Sequence, residues 1–406
     1  AVHLCARSAS SRYSGSLSYF FANERLDAAN FFAPVEGARK LKPPHRTHIS
    51  GATLGGPLRG GRTFFFLSFE GANRIAGSPR ALTVPDESQR RGAFRTALFD
   101  PASLRREGQR ALRDPFPGNV IPAARIDPVA RNLTAFYPLP NASTSPNFTA
   151  NASSEHLRRH FTAKTDHRLT DGGGLSGRYT FSRDERALAR GVFPALAAED
   201  FSRAFAEWHS ASGIWSQTYS PSLHNELRVT YSRATLRQES SGLGQDWPAR
   251  LGLAGVPQRA FPRFEAAGYA ALGSAIQERR LPLTEQWQLA GIFRWRRAAH
   301  ELRSGFELRP SRSVEQDGRS ASGLFAFDPR GTAQPGQPAT GDAFASLLLG
   351  FPDSLTQRQT ELLDRTSAYL AAFAQDAWRT GDRLTLHLGV RWELDTPLLD
   401  TRNWMN

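Results

Sequence analysis

The stretch TSAYLAAFAQDAWRTGDRLTLHLGVRWELD, residues 366–395, decides the fold. In its second arm Leu384, Leu386, Leu388, Val390, Trp392 and Leu394 take every other position, and Thr385, His387, Gly389, Arg391, Glu393 and Asp395 fill the gaps. A period of two makes this arm a strand with one apolar and one polar face. The apolar side carries no charge, and the arm is about as long as the roughly 9–11 tilted residues that cross a hydrocarbon layer. Few soluble sheets would turn the other side, with two acids and a base, inward, whereas a wet barrel lumen accepts it. On this hairpin alone, a soluble β-sandwich strand with its polar face in water reads equally well.

At 406 residues the chain exceeds an ordinary soluble domain, which leaves two or three domains or one large barrel. No run of about 18 apolar residues occurs, so a helical membrane protein is excluded but a barrel is not. The opening AVHLCARSASSRYSGS has no basic start followed by an apolar core, so the expectation is an exported protein that has lost its beginning. Cys5 is the only cysteine, which removes internal disulfides and cysteine-cluster metal sites. The net charge of +13 rests on 51 bases, of which only Lys40, Lys42 and Lys164 are lysines. Basic balance raises nucleic acid as a partner, yet the arginines are scattered, with no helix-turn-helix, zinc finger or stacking platform. No nucleic-acid partner is therefore expected. Arginines at a membrane rim would instead meet anionic lipid phosphates.

Outward from the decisive hairpin, strands are expected at 13–21, 48–57 and 62–71, the last two joined by the tight LRGG turn. A connection of nearly ninety residues follows, long enough to suggest a functional surface loop. Within it, DPFPGNVIPAARIDPVARNLTAFYPLPN (114–141) places Pro117-Gly118 in a turn and Asp127-Pro128 at a helix start. Val129, Leu133, Phe136 and Tyr137 then share a helical face expected to dock on the barrel mouth. Asn132, Asn141, Asn147 and Asn151 each open an N-x-[ST] triplet, which chance supplies in a loop so rich in Asn, Ser and Thr. From residue 159 alternation resumes through FTAKTDHRLT, a DGGG turn and LSGRYTFSRDE, then in strands near 202–218, 223–236, 284–295 and 299–309. Long loops are expected at about 238–281 and 310–365; in the latter, Asp342 caps and Gly350 stops a short helix. About eleven strands result, joined alternately by short turns and long loops, as in an outer-membrane barrel.

Catalytic chemistry finds no support. GPLRGGRT (56–63) has P-loop spacing, but Arg62 replaces the lysine and a strand follows where the phosphates would need a helix N-terminus. His156 and His160 would share a helical face as metal ligands but lack a third ligand. With no G-x-S-x-G elbow, Cys/His pair or paired carboxylates, the expectation is no enzyme, no cofactor and no metal.

With these blocks in place, the chain resembles the TonB-dependent outer-membrane receptors, specifically the Oar-like branch common in Acidobacteria. The resemblance is carried in order by 14–32, GATLGGPLRGGRTFFFLSFEG (51–71), 114–141, 175–185, HNELRVTYSR (224–233), GDAFASLLLGFPD (341–353) and the closing hairpin. It implies an antiparallel transmembrane β-barrel of about 22 strands around an N-terminal plug. It also implies import driven by an inner-membrane complex that pulls on a short box ahead of the plug. The chain departs from the family in lacking a plug body and that box, in ending at Asn406 without an aromatic residue, and in ARSASSRYSGS replacing the usual KSGTN-type join. It is accordingly expected to be partial, with residues 1–12 ending the plug and 13–406 forming the N-terminal half of the barrel. The implied partners are outer-membrane lipid, the TonB complex through the plug region, and an extracellular nutrient such as a siderophore, glycan or peptide. Arg178, Arg228, Arg391 and Glu393 are the lumen candidates for ligand contact. The competing expectation is a surface adhesion or structural protein that keeps the barrel without transport.

Overall fold

A computed structural model describes residues 12–402 apart from 29–34, 37–38, 41, 60, 191, 199–201, 258, 278 and 359–360. The expected plug junction at 1–12 thus lies outside the described residues except for Arg12. Eleven strands form one antiparallel path: β1 (Ser14–Asn23), β2 (His45–Arg59), β3 (Thr63–Leu82), β4 (Phe148–Thr170), β5 (Gly173–Arg190), β6 (Ser202–Ser220), β7 (Leu223–Ser240), β8 (Leu283–Arg297), β9 (His300–Gln316), β10 (Leu362–Arg379) and β11 (Thr385–Asp395). A twelfth, short strand at Leu399–Asp400 pairs with β10. Neighbours in this path are neighbours in sequence, and among the described residues β1 and β11 each have a single partner strand. No helix among the described residues is long and apolar enough to cross a membrane.

The strand number agrees with the alternation in the sequence, but several strands run longer. β3 continues to Leu82 and β4 begins at Phe148, so the first long connection is 83–147 and not nearly ninety residues. Likewise β9 continues to Gln316 and β10 starts at Leu362. In these extensions, such as NRIAGSPRAL and TANASSEHL, charged and apolar residues no longer alternate cleanly, yet the backbone ladder continues without interruption between β3 and β4. The hydrogen bonds need no hydrophobic pattern; only lipid-facing positions impose one.

Residues directly opposite in an antiparallel pair share a face, so the registers carry the two faces across the sheet. One face holds Leu17, Leu54, Leu67, Ala163, Tyr179, Ala211, Val229, Leu289, Leu308, Leu370 and Leu394. Among the described residues nothing covers it: Leu17 is 89% exposed, Val390 70% and Leu388 57%. Toward the long connections this face carries a cross-strand row of rings, Phe69, Phe161, Phe181 and His209. One step beyond, the row becomes charged, with Arg159, Arg183 and Glu207. Tyr231 and Trp287, with ring centroids 4.7 Å apart, are followed in the same way by Arg233, Glu285 and Arg312. An aromatic band followed at once by charge marks the edge of an apolar belt.

The deeply buried apolar side chains lie elsewhere, almost all in the long connections. Short turns join β2–β3, β4–β5, β6–β7, β8–β9 and β10–β11 at one end of the sheet, and every long connection leaves from the other. Four of the latter, 83–147, 191–201, 241–282 and 317–361, share one core that includes Val84, Leu98, Ile121, Leu133, Phe261 and Phe344. Helices α1 (Glu87–Arg90), α2 (Pro128–Thr134), α3 (Trp247–Leu251) and α4 (Ala343–Leu348) contribute to this cap. A small mixed sheet of Arg263–Ala266, Leu324–Phe327 and Ser354–Thr356 ties the last two connections together.

Candidate functional site

The cap is assembled from the local signals that its sequence carries. Asp127 Oδ1 accepts from the Val129 and Ala130 amides and starts α2, with Pro128 at the first helical position, where a missing N–H costs nothing. The helix then buries Ala130 and Leu133, and Tyr137 follows at 2% exposure. This is the docking face expected from 129–137, but it packs against α3 and α4 of other connections. Asp342 Oδ1 accepts from the Phe344 and Ala345 amides and starts α4, whose six residues are all buried. Gly350 ends it at φ +64, a left-handed conformation that glycine adopts without strain.

Polar groups inside the cap are satisfied by partners distant in sequence. Gln89 Nε2 donates to Tyr269 Oη at 2.7 Å, and Tyr269 Oη donates to Asp342 Oδ2 at 3.0 Å. Burial pushes the Asp342 carboxyl above the usual range, against the opposing pull of these hydrogen bonds, and burial likewise raises the Tyr269 and Tyr137 phenols. Arg113 Nη1 donates to the carbonyls of Arg330, Gly331 and Ala333, fixing 83–147 to 317–361. Its guanidinium is lowered by burial. Asn132, Asn141 and Asn147 of the glycan-like triplets all bond backbone: Asn132 to Leu251, Asn141 to Thr149 and Asn147 to Val84. Their amides have structural duties.

Below the cap, the second face of the sheet is polar. Arg178, Arg228, Arg391 and Glu393 all fall on it, because the register places Arg178 opposite Lys164 and Ser212, Arg228 opposite Ile214 and Ala290, and Arg391 opposite Phe373. They do not converge. Arg178 and Arg228 are separated by β6, and four strand steps of about 4.8 Å each separate Arg228 from Arg391. Arg228 pairs with Glu226 at 3.1 Å, while Arg391 pairs with Glu393 and donates to Tyr369 Oη at 3.1 Å.

Sequence reading missed the ion pairs on the same face of β3–β5. There Glu70 meets Arg158 at 2.5 Å, His156 Nε2 meets Asp184 Oδ2 at 2.6 Å, and Asp184 also holds Arg186 at 2.9 Å. Alternation would have assigned each residue to its face; only the register identifies the partners. His156 and His160, read as a helical pair, sit on strand β4, where four residues span about 13 Å. They engage Asp184 and Thr162 respectively. Among the described residues no group of three His, Cys, Asp or Glu could hold a metal ion. At the turn end a cavity of about 290 Å³ is lined by residues including Arg62, Asp166, Arg168 and Ser176.

The sequence profile of a family described as an outer membrane beta barrel domain matches residues 6–406. No curated protein matches the chain. Among solved structures, the outer membrane transporter YddB from Escherichia coli is similar at TM-score 0.47 and 9% identity, over 94% of this chain and 39% of that one. The siderophore receptor PirA from Acinetobacter baumannii gives 0.43 and 10%, over 96% and 40%. A variant of the ferric enterobactin receptor PfeA from Pseudomonas aeruginosa gives 0.40 and 12%, also over 96% and 40%. The chain spans about two fifths of the length of these structures.

Proposed function

Since the chain belongs to the outer membrane beta barrel domain family, and so to the bacterial outer membrane, we propose that it forms part of a TonB-dependent, Oar-like receptor that captures a bulky nutrient and imports it. The observation that carries this reading is the division of the molecule into a lipid-facing apolar face, a continuous polar face and a single cap at the end of the long connections. Outer-membrane barrels keep short turns on the periplasmic side, which puts the cap outside the cell, where a solute arrives first. In this reading the cap selects the solute and the polar face, including Arg178, Arg228, Arg391 and Glu393, lines its path. Energy comes from the inner membrane through a plug whose end is residues 1–12.

Residues 13–406 would then be the first half of the barrel wall. Among the described residues β1 and β11 are edges with a single partner strand each, and an open edge in hydrocarbon leaves N–H and C=O groups unpaired. Cysteine pairs engineered between β1 and β11 test this directly: efficient disulfide formation in the native protein would mean that the eleven strands close on themselves. The transport reading is tested by deleting the gene and separately inactivating the inner-membrane energising complex, then measuring uptake of ferric siderophores, oligosaccharides and peptides. Import predicts the same substrate lost in both strains. Uptake intact for every substrate, with surface attachment reduced, would replace import by adhesion.

A further inference from the structure

We propose that Arg294 and Arg303 form an oxyanion site on the polar face, one that takes a phosphate or carboxylate group of a small solute. The hairpin register that starts with Arg297 opposite His300 puts Arg294 directly opposite Arg303. Like charges in that position destabilise an antiparallel pair unless something compensates them. The neighbouring acids are already engaged: Glu301 with Arg296, Glu307 with Gln288 and Arg309, and Glu393 with Arg391. Asp376, whose register places it on the other face, reaches the cavity wall; its Oδ2 meets His300 Nδ1 at 2.6 Å, and its Oδ1 is buried with no hydrogen-bond partner among the described residues. Arg303 Nε is buried with no hydrogen-bond partner.

The surroundings leave room for a ligand. A cavity of about 550 Å³ is lined by Arg294, Arg303, Gln375 and His387, with the ion-paired Glu301 and Asp376 also in its wall, within the usual range for small-molecule sites. A second, of about 410 Å³, shares Arg303, Gln375 and Gly389 and adds Phe373. Two glycines create this space. Gly305 lies opposite Phe373, and a Cβ there would stand 2.5 Å from the ring, so only glycine lets Phe373 lie across β9. The Arg303 guanidinium is then 5.8 Å from the ring centroid. Gly389 presents no side chain opposite Gln375, whose amide is left at the cavity wall. Two guanidinium forks, one amide and an aromatic wall suit a planar or tetrahedral oxyanion attached to an apolar group.

This site requires only that the polar face be wet, so its failure is separable from that of the import reading. The test titrates the full-length protein that contains this chain, in detergent micelles, with inorganic phosphate and, separately, acetate, following ³¹P or ¹³C line broadening and the thermal midpoint. Saturable binding of at least one anion is expected, with a raised midpoint. Arg294→Gln combined with Arg303→Gln is expected to weaken binding at least tenfold, whereas Arg110→Gln, on an exposed cap hairpin, leaves it unchanged. Absence of saturable binding, or equal affinity in the double variant, overturns the site. If the double variant fails to give the heat-dependent gel shift of a folded barrel, Arg303→Lys replaces it. That change keeps the charge and removes the fork, so unchanged affinity there overturns the site as well.

Discussion

At the scale of single residues, Asp342 and Asp100 make opposite demands on pH. Arg125 donates to both carboxylate oxygens of Asp100, at 2.8 and 2.9 Å, and this holds the Asp100 carboxyl below its ordinary value. A depressed acid stabilises the folded form above its unfolded pKa of about 3.9, and that stability is lost as pH falls through the folded value. Asp342 is raised by burial, so its contribution is fully present below about 3.9 and is lost as pH rises through its folded value. Melting of the cap, followed by limited proteolysis, is therefore expected to shift with pH in opposite senses in two variants. Asp342→Asn removes a gain on mild acidification, and Asp100→Asn removes a loss below about pH 4. A pH profile identical to the parent in both would refute the assignments. Asp342→Ala takes away the α4 cap and leaves the Tyr269 hydroxyl without its acceptor, at a cost of about 1–3 kcal/mol in the thermal unfolding of the cap.

At the scale of elements, the alternation in β11 makes a face-specific prediction. Val390 lies opposite Ala374 on the exposed apolar face, with no acid directly opposite it. Leu388, by contrast, lies opposite Asp376, which would partly compensate an arginine there. Val390→Arg is expected to cost about 2–4 kcal/mol in barrel refolding, and His387→Arg close to nothing, because the latter position meets water. Equal costs would mean that the faces are wrongly assigned. The strands were legible because lipid on one side and water on the other force a strict period of two, as in Leu386 to Leu394. The ends of β3, β4 and β9 were not, since beyond the belt both faces meet water and the pattern relaxes while the ladder continues. Helix starts at Asp127 and Asp342 were legible because a cap is a local hydrogen bond. The Arg294–Arg303 opposition was available in principle from a two-residue turn at 298–299, but it depends on register, which alternation alone does not number.

At the scale of the whole molecule, the long connections behave as one body. A hydrophilic loop of the length of 83–147 would, if independent, tolerate deletion, since closure entropy changes by only about 0.6 kcal/mol per doubling of length. Here the segment supplies Phe94, Leu98, Phe116, Ile121, Leu133 and Tyr137 to a core completed by Phe261, Phe264, Phe344 and Leu347 from two other connections. Its backbone also bonds theirs: Phe99 N to Thr332 O, Asp127 N to Leu348 O, and Thr83 O from Ala270 N. The β-ladder, in contrast, is complete without it, because β3 pairs with β4 along the whole of its own length. Replacing residues 86–146 by a short Gly-Ser linker is thus expected to leave the heat-dependent gel shift of the barrel intact. The connections at 241–282 and 317–361 should at the same time become protease-sensitive, since the removal exposes large apolar side chains worth about 1.5–3 kcal/mol each when buried. Protection unchanged at 317–361 would show that the connections fold separately; loss of the gel shift would show that the barrel itself depends on the cap. If the cap selects the solute as proposed, uptake changes in the same variant while the barrel persists.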